Sequence, residues 1–399
     1  MMETMKQTLA EVHAELESDF AEVVEWRRYL HQHPELSFQE TKTARFIADK
    51  LRSFGYEDIQ TEIGGYGIVA SLSGKEAGPT IALRADFDAL PIEDEKETPY
   101  RSKTPGVMHA CGHDGHTAAL LGTAKALIKH KDSLKGKVVF LFQPAEEVPP
   151  GGAKAMIEDG ALDGVDYVYG AHLNSAAPVG KIGVGEGVKM AAVDKFAITI
   201  QGKGGHGAAP QEAVDPIVIG SDIVSALQKI VSRRVSPLES AVVTLGVFQS
   251  GNAFNVIPDT AKLEGTVRTF NADIRKQVRQ QIEAIVSGIT SGFDATYSID
   301  YLHGYPALYN HPKETAFLQR LFSEQFGEEQ LIELETGMGA EDFAYYLQEK
   351  PGSFFKVGCR NEDTATHYPH HHPKFDIDER ALLITEKAFT KIVFSLLGS

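Results

Sequence analysis

Leu16, Phe20, Val23, Val24 and Leu30 recur near helical spacing with charges between them, which predicts an amphipathic helix from Leu9 to about His31. A second helix is predicted over residues 41–54, with Gly55 as its stop. Short apolar runs follow at residues 68–72 (IVASL) and 80–84 (TIALR), then a helix over about 118–129 and a strand at 137–142 (KVVFLF). Another helix begins near Ala153, and a strand at 167–171 (YVYGA) ends at His172. Near-continuously apolar strands alternating with helices predict an α/β sheet covered on both faces.

From about Gly187 to about Tyr301 the period changes. Phe196, Ile198 and Ile200 alternate with polar neighbours, as in a half-buried strand, and Val214, Ile217, Val224, Leu227 and Val231 recur at helical spacing. Strands at 241–247 and 262–268 come next. A helix carrying Ile274, Val278, Ile282, Ile285 and Ile289 on one face then leads to a strand with Tyr297, Ile299 and Tyr301 on one side. The order βαββαβ predicts a ferredoxin-like module. After about His303 the first pattern returns, with a helix over 313–326, a strand at 354–357 and a closing helix over 378–397. The expected organisation is thus a discontinuous domain of residues 1–186 and 302–399, a mixed sheet flanked by helices, with residues 187–301 inserted into it.

The 399 residues, 42% of them hydrophobic, suffice for more than one packed core. With 39 basic against 55 acidic side chains the net charge is -16, and the basic residues form no long cluster; nucleic acid and anionic membranes are excluded as expected partners. The acid-rich N-terminal segment lacks a signal-peptide core, and no stretch reaches the ~18 apolar residues of a membrane span, so a cytoplasmic location is expected. Cys111 and Cys359 are the only cysteines and cannot form a disulfide framework.

Chemistry concentrates in residues 108–117 (MHACGHDGHT), where Cys111 and His113 stand two apart before an apolar run. Alone, such a pair is more often a buried thiol beside a helix-capping imidazole, and His109 and His116 keep that structural reading. Three further places offer suitable groups: the adjacent Glu146 and Glu147 after a strand, His172, and one of His370, His371 and His372. Imidazole, carboxylate and thiolate together suit Zn, Mn, Ni or Co, whereas Mg and Ca prefer all-oxygen shells. Neighbouring side chains diverge at a strand end, so one glutamate can bind metal while the other serves as a general base beside an activated water.

The chain resembles the M20 metallopeptidase family, and within it the amidohydrolases that include N-acyl-amino-acid amidohydrolases, hippurate hydrolases and auxin-conjugate hydrolases. The motifs that carry the resemblance run in family order: HPELSF from His33, RADFDALP from Arg84, the stretch 108–117, FQPAEE from Phe142, Gly205-His206, NVIP from Asn255, GTVR from Gly265, EDF from Glu341 and HHP from His371. The resemblance implies a zinc-peptidase-like catalytic domain with an inserted lid and dimerisation domain. It implies two divalent ions (Mn, Zn, Co or Ni) held by Cys111, His113, Glu147, His172 and His371, where Pro373 sets the register of the last. Asp86 is implied to orient a ligand histidine. Glu146 is implied as the general base for a metal-activated water, His206 as a polariser of the scissile carbonyl in its own or a partner's site, and Asn255 and Arg268 as holders of a substrate carboxylate. The implied reaction is hydrolysis of N-acyl amino acids in a homodimer, with a dipeptidase or carboxypeptidase as the alternative. His372, Phe87, Ala340 and the run 148–152 (VPPGG) depart from the family's pattern near the metal or the pocket, which leaves substrate choice open.

Two remote readings compete. Residues 202–207 (GKGGHG) fit a dinucleotide-binding glycine pattern after a strand, but Ala208, Ala209 and Pro210 separate the glycines from the next helix, and the following strand lacks a terminal acid for a ribose. A non-catalytic metal-bound scaffold would have no need of Glu146.

Overall fold

The computed structural model describes residues 2–398 and divides into two compact units. The first comprises the chain up to Lys189, Tyr309–Glu335 and the chain from Asp342 onward; the second comprises Met190–Leu308 with Thr336–Glu341.

The first unit is built on an eight-stranded mixed sheet. Its spatial order is Ile59–Ile63, Gly67–Ser73, Lys135–Gln143, Glu76–Asp86, Tyr167–Pro178, Gly352–Arg360, Ile182–Val184 and Leu331–Glu333. The four strands from Lys135–Gln143 to Gly352–Arg360 run parallel, and they are the near-continuously apolar ones because helices cover them. Helices Met2–Gln32, His113–Lys129 and Arg380–Leu397 contribute Val12, Leu16, Leu120, Leu127, Phe389 and Val393 to the core against Leu83, Phe140 and Phe355.

Local chemistry sets the element ends. Helix Thr41–Phe54 begins where the Glu35 carboxylate accepts the N–H groups of Lys42 (2.9 Å) and Thr43 (2.8 Å), and it stops at Gly55, whose left-handed φ of 101° returns its N–H to the last turn. Two elements exceed the expectation from hydrophobic pattern. The helix expected over 118–129 starts at His113, because polar residues in its first turns are buried against the site. The strand expected to end at His172 continues to Pro178, because pairing with Gly352–Arg360 carries on, with His172 opposite Lys356.

The second unit has a four-stranded antiparallel sheet in the order Ala241–Ser250, Thr260–Thr269, Ala192–Gln201, Thr296–His303, the ferredoxin-like order. Helices Pro216–Arg233, capped by Asp215, and Ala272–Gly292, capped by Asn271, join the strands. Phe196, Ile198 and Ile200 meet Ile223, Leu227, Val278 and Ile282 in a core of the unit's own. Among the described residues, no helix is long and apolar enough to cross a membrane.

Candidate metal centre

The candidate ligands come from a helix start, the end of one parallel strand, the middle of another and a C-terminal loop of the first unit. Cys111 stands one residue before Gly112, which opens helix His113–Lys129 with φ of 90°, a conformation glycine adopts without a Cβ penalty. Glu146 and Glu147 follow strand Lys135–Gln143, and His172 lies within strand Tyr167–Pro178. His371, with φ of 66°, donates its backbone N–H to the carbonyl of Ala110 at 2.8 Å, which ties the C-terminal histidine loop to the cysteine loop.

These side chains converge. Donor atoms of Cys111, His113 and His172 lie within 4.8 Å of one another, as do those of Cys111, Glu147 and His371, and those of His113, Glu146 and Glu147. Cys111 Sγ is 3.5 Å from His172 Nε2, and Glu147 Oε1 is 3.4 Å from His371 Nε2 and 3.8 Å from His113 Nε2. Two ligands on one tetrahedral ion at ~2.0–2.3 Å stand about 3.3–3.8 Å apart, so the set is spaced for metal. His113 Nε2 and Glu147 Oε1 are also buried without a hydrogen-bond partner. Such orphans cost about 1–3 kcal/mol each, and cations bound at this cluster would satisfy both.

The surroundings fix each ring. His113 Nδ1 faces the carbonyl (3.0 Å) and Oδ1 (3.1 Å) of Asp88, which leaves Nε2 directed at the carboxylates. His172 Nδ1 donates to the carbonyl of Leu173 at 2.6 Å, which turns its Nε2 towards Cys111. Burial drives the pKa of His172 well down, so this imidazole is neutral and fit to ligate. Without metal, burial and then Glu147 push the Cys111 thiol up; a bound cation reverses that preference. Against its burial, Asp88 is held below the usual carboxylate range by His113, with help from the N–H of Glu147 (3.0 Å) and the hydroxyl of Ser37 (2.7 Å).

Asp86 also faces the site, with Oδ2 3.6 Å from His113 Nε2. Its Oδ1 meets His116 Nδ1 at 2.6 Å, its Oδ2 accepts from Arg84 Nη1 at 2.7 Å, and the other nitrogen of His116 accepts the N–H of Leu173 at 2.9 Å. It thus braces the backbone beside His172 through His116, and Asp88 is the carboxylate on the Nδ1 of a candidate ligand. Sequence reasoning passed over Asp88, although residues two apart on a strand share a face. It also passed over the buried cluster behind the cysteine loop, where Arg27 donates to Asp114 (2.8 Å), Asp376 (3.0 Å) and Glu379 (3.3 Å), and His31 Nδ1 meets Asp114 at 2.7 Å.

Of the other histidines, His370 accepts the N–H of Ser175 at 3.3 Å, and half-buried His372 stacks on Tyr368 with ring centroids 4.5 Å apart. His109 is buried in the core. Cys359 is also buried, and its thiol is raised by that burial.

His206, Asn255 and Arg268 belong to the second unit. There His206 pairs with Val256 on two short strands, and the carbonyl of Asn255 accepts the N–H of Gly207 at 2.9 Å, so two segments distant in sequence are joined. Arg268 lies on Thr260–Thr269; burial lowers its pKa, and Nη1 donates to the carbonyl of Val267 at 3.2 Å. The glycine-rich run 202–207 leads into the short strand Gly205–His206 and a 3-10 turn, not into a helix N-terminus.

Comparison with known proteins agrees with this geometry. Residues 82–395 match the profile of Peptidase family M20/M25/M40. YhaA of Bacillus subtilis, an amidohydrolase by name, is 52% identical over 377 residues, covering 94% of this chain and 95% of its own. The N-acyl-L-amino acid amidohydrolase of Geobacillus stearothermophilus is 48% identical over 290 residues (73% of this chain, 78% of its own). Thermostable carboxypeptidase 1 of Saccharolobus solfataricus is 40% identical over 374 residues (92% and 94%). Among solved structures, the Bacillus subtilis YXEP protein, described as a dinuclear metal-binding peptidase from the M20 family, superposes with a TM-score of 0.81 at 37% identity, covering 96% of this chain and 99% of that one.

Proposed function

The chain belongs to Peptidase family M20/M25/M40, and from that premise we propose that this metal-dependent amide hydrolase cleaves N-acyl amino acids to a carboxylate and a free amino acid. The observation that carries the reading is the pair of ligand trios sharing Cys111, with Glu146 beside them. In this reading Cys111, His113, Glu147, His172 and His371 would hold the two divalent ions. Bound there, such ions supply Lewis acidity, which polarises a carbonyl and lowers the pKa of water from about 15.7 towards ~7.

Glu146 takes the proton of the attacking water and delivers it to the nitrogen as the carbon–nitrogen bond breaks, so the acyl group leaves as a carboxylate and the amino acid as a free amine. Glu146 is buried, with 6% of its surface exposed, which keeps bulk water from competing for that proton. Asn255 and Arg268 hold the substrate's carboxylate, and His206 polarises the scissile carbonyl.

The name of the Geobacillus relative supports the N-acyl amino acid class; the carboxypeptidase relative keeps a peptide substrate as the alternative. The second unit is read as a lid and a dimerisation surface, supported by the exposed Val218, Phe248, Phe254 and Val256 on it.

N-acetyl and N-benzoyl amino acids and dipeptides, each assayed with Mn, Zn, Co and Ni, test the reading. Turnover of the acylated substrates, abolished by chelation and restored by metal, is expected; turnover of the dipeptides alone selects the alternative. Glu146→Gln is expected to retain metal and lose roughly 10²–10⁴-fold in kcat, and near-native kcat would remove Glu146 from its role.

A further inference from the structure

The motif HPELSF, with the two residues that follow it, meets the site at more than the Ser37 hydroxyl. Its residues 33–40 lie far in sequence from every candidate ligand, yet they bear on the backbone that presents Glu146 and Glu147. Ser37 donates to Asp88 Oδ2 at 2.7 Å, the oxygen that also accepts the N–H of Glu147. Glu40 reaches 105 residues along the chain: its Oε1 accepts the N–H of Ala145 at 2.8 Å, fully buried.

Ala145 immediately precedes the glutamate pair and has a φ of 54°. A left-handed conformation is unfavourable for an L-residue, and it persists only where the surroundings over-determine it. Here both sides of the residue are clamped. Glu40 takes its N–H, and its carbonyl accepts the N–H of Gly152 at 3.1 Å. A side chain at position 152 would meet the carbonyl oxygen of Pro144 at 2.1 Å, so that approach requires glycine.

Glu40 is also diverted from the task its position offers. It is the N-cap residue of helix Thr41–Phe54, but its side chain makes no capping bond, and Glu35 caps that helix instead. A buried carboxyl withheld from its own helix and directed at a strained amide far along the chain indicates a brace. Its second oxygen, Oε2, has no partner.

We propose that Glu40 is a positioning residue for the reaction: by accepting the Ala145 N–H it holds the left-handed turn that sets the directions of Glu146 and Glu147. The proposal rests on the roles assigned to that pair above. What matters is an acceptor at the right reach, not a charge. Burial, and then the Asp88 carboxylate, raise Glu40 to about 7, so a neutral amide of the same length suits the place.

Wild type, Glu40→Gln, Glu40→Asp and Glu40→Met are compared by hydrogen–deuterium exchange over residues 143–152, by metal content, and by kcat and KM on N-acetyl amino acids. Gln keeps the acceptor and should retain slow exchange and near-native kcat. Asp keeps the charge but falls short by one methylene; it and Met should exchange faster at that segment and lose roughly 10- to 100-fold in kcat, with KM changed less than about twofold. Native exchange at 143–152 in both Asp and Met, or a Gln variant as impaired as Asp, overturns the proposal. If Met does not fold, the Asp and Gln pair still decides. The exchange measurement needs no substrate, so a wrong substrate class leaves that arm intact and appears instead as a wild type without turnover.

Discussion

Arg27→Met tests the buried charge cluster behind the cysteine loop. Arg27 is fully buried and serves three carboxylates, but they do not depend on it equally. Glu379 keeps Arg28 at 2.7 Å, and Asp376 keeps the Tyr100 hydroxyl at 2.7 Å and the Ile377 N–H at 2.9 Å. Asp114 keeps only His31, on the same oxygen that Arg27 used, and its Oδ1 already lacks a partner. Removing one partner of a buried ion pair costs ~3–5 kcal/mol. With one carboxylate of three stranded, the expected loss is near the lower end, about 3 kcal/mol. Trp26, the chain's single tryptophan, is buried beside Arg27 on the same helix, so its fluorescence in urea follows the unit concerned. Against its burial, Arg27 holds Asp114 well below the usual carboxylate range. A depressed folded-state pKa contributes stability above the unfolded value of ~3.9 and loses it as pH falls towards the folded one. The gap between wild type and variant should therefore be full at pH 7 and shrink below pH ~4. A loss under about 1 kcal/mol at pH 7, or a gap that widens in acid, would refute the assignment of the cluster's energy to Asp114.

Three other outcomes are expected. Cys111→Ser should lower bound metal by elemental analysis, because both ligand trios include this thiol; unchanged stoichiometry removes Cys111 from the set. Glu386 is wholly buried with neither oxygen bonded, and burial raises its carboxyl well above the ordinary range. The folded chain then holds a proton that the unfolded chain releases above ~4.5, so stability falls as pH rises, by up to about 1.4 kcal/mol per unit. Glu386→Met should remove that slope in urea titrations from pH 5 to 8, and parallel slopes would contradict it. On the proposed pairing through the second unit, the wild type should sediment as a dimer and Phe254→Asp with Val218→Asp as a monomer; a monomeric wild type or an unaltered dimer in the variant would contradict that pairing.

Much of the architecture was legible because burial leaves a period. The second unit's Phe196, Ile198 and Ile200 alternate cleanly since one sheet face is packed, and its helices show in the spacing of Val224, Leu227 and Val231 and of Val278, Ile282 and Ile285. Illegible elements were those whose partners are distant. Strands Ile182–Val184 and Leu331–Glu333 are too short to show a period, and the continuation past His172 is dictated by pairing with residues 352–360. The same holds at the site. Residue types and motif order pointed to Cys111, His113, Glu147, His172 and His371, but which aspartate serves which imidazole depends on side-chain direction. Glu40 reads locally as a helix cap, and only its contact 105 residues away shows otherwise.

The place of strand Gly352–Arg360 in the sheet has a consequence for biosynthesis. It lies between Tyr167–Pro178 and Ile182–Val184, elements made long before it. During vectorial synthesis the second unit has every strand of its four-stranded sheet once residue 303 has emerged, whereas the larger sheet still has a gap beside the strand that carries His172. Until residues 352–360 arrive, that strand offers an unpaired edge, the kind of surface that recruits other chains. The inserted unit can therefore fold while its host waits, and the nascent host sheet is where protection from aggregation matters most.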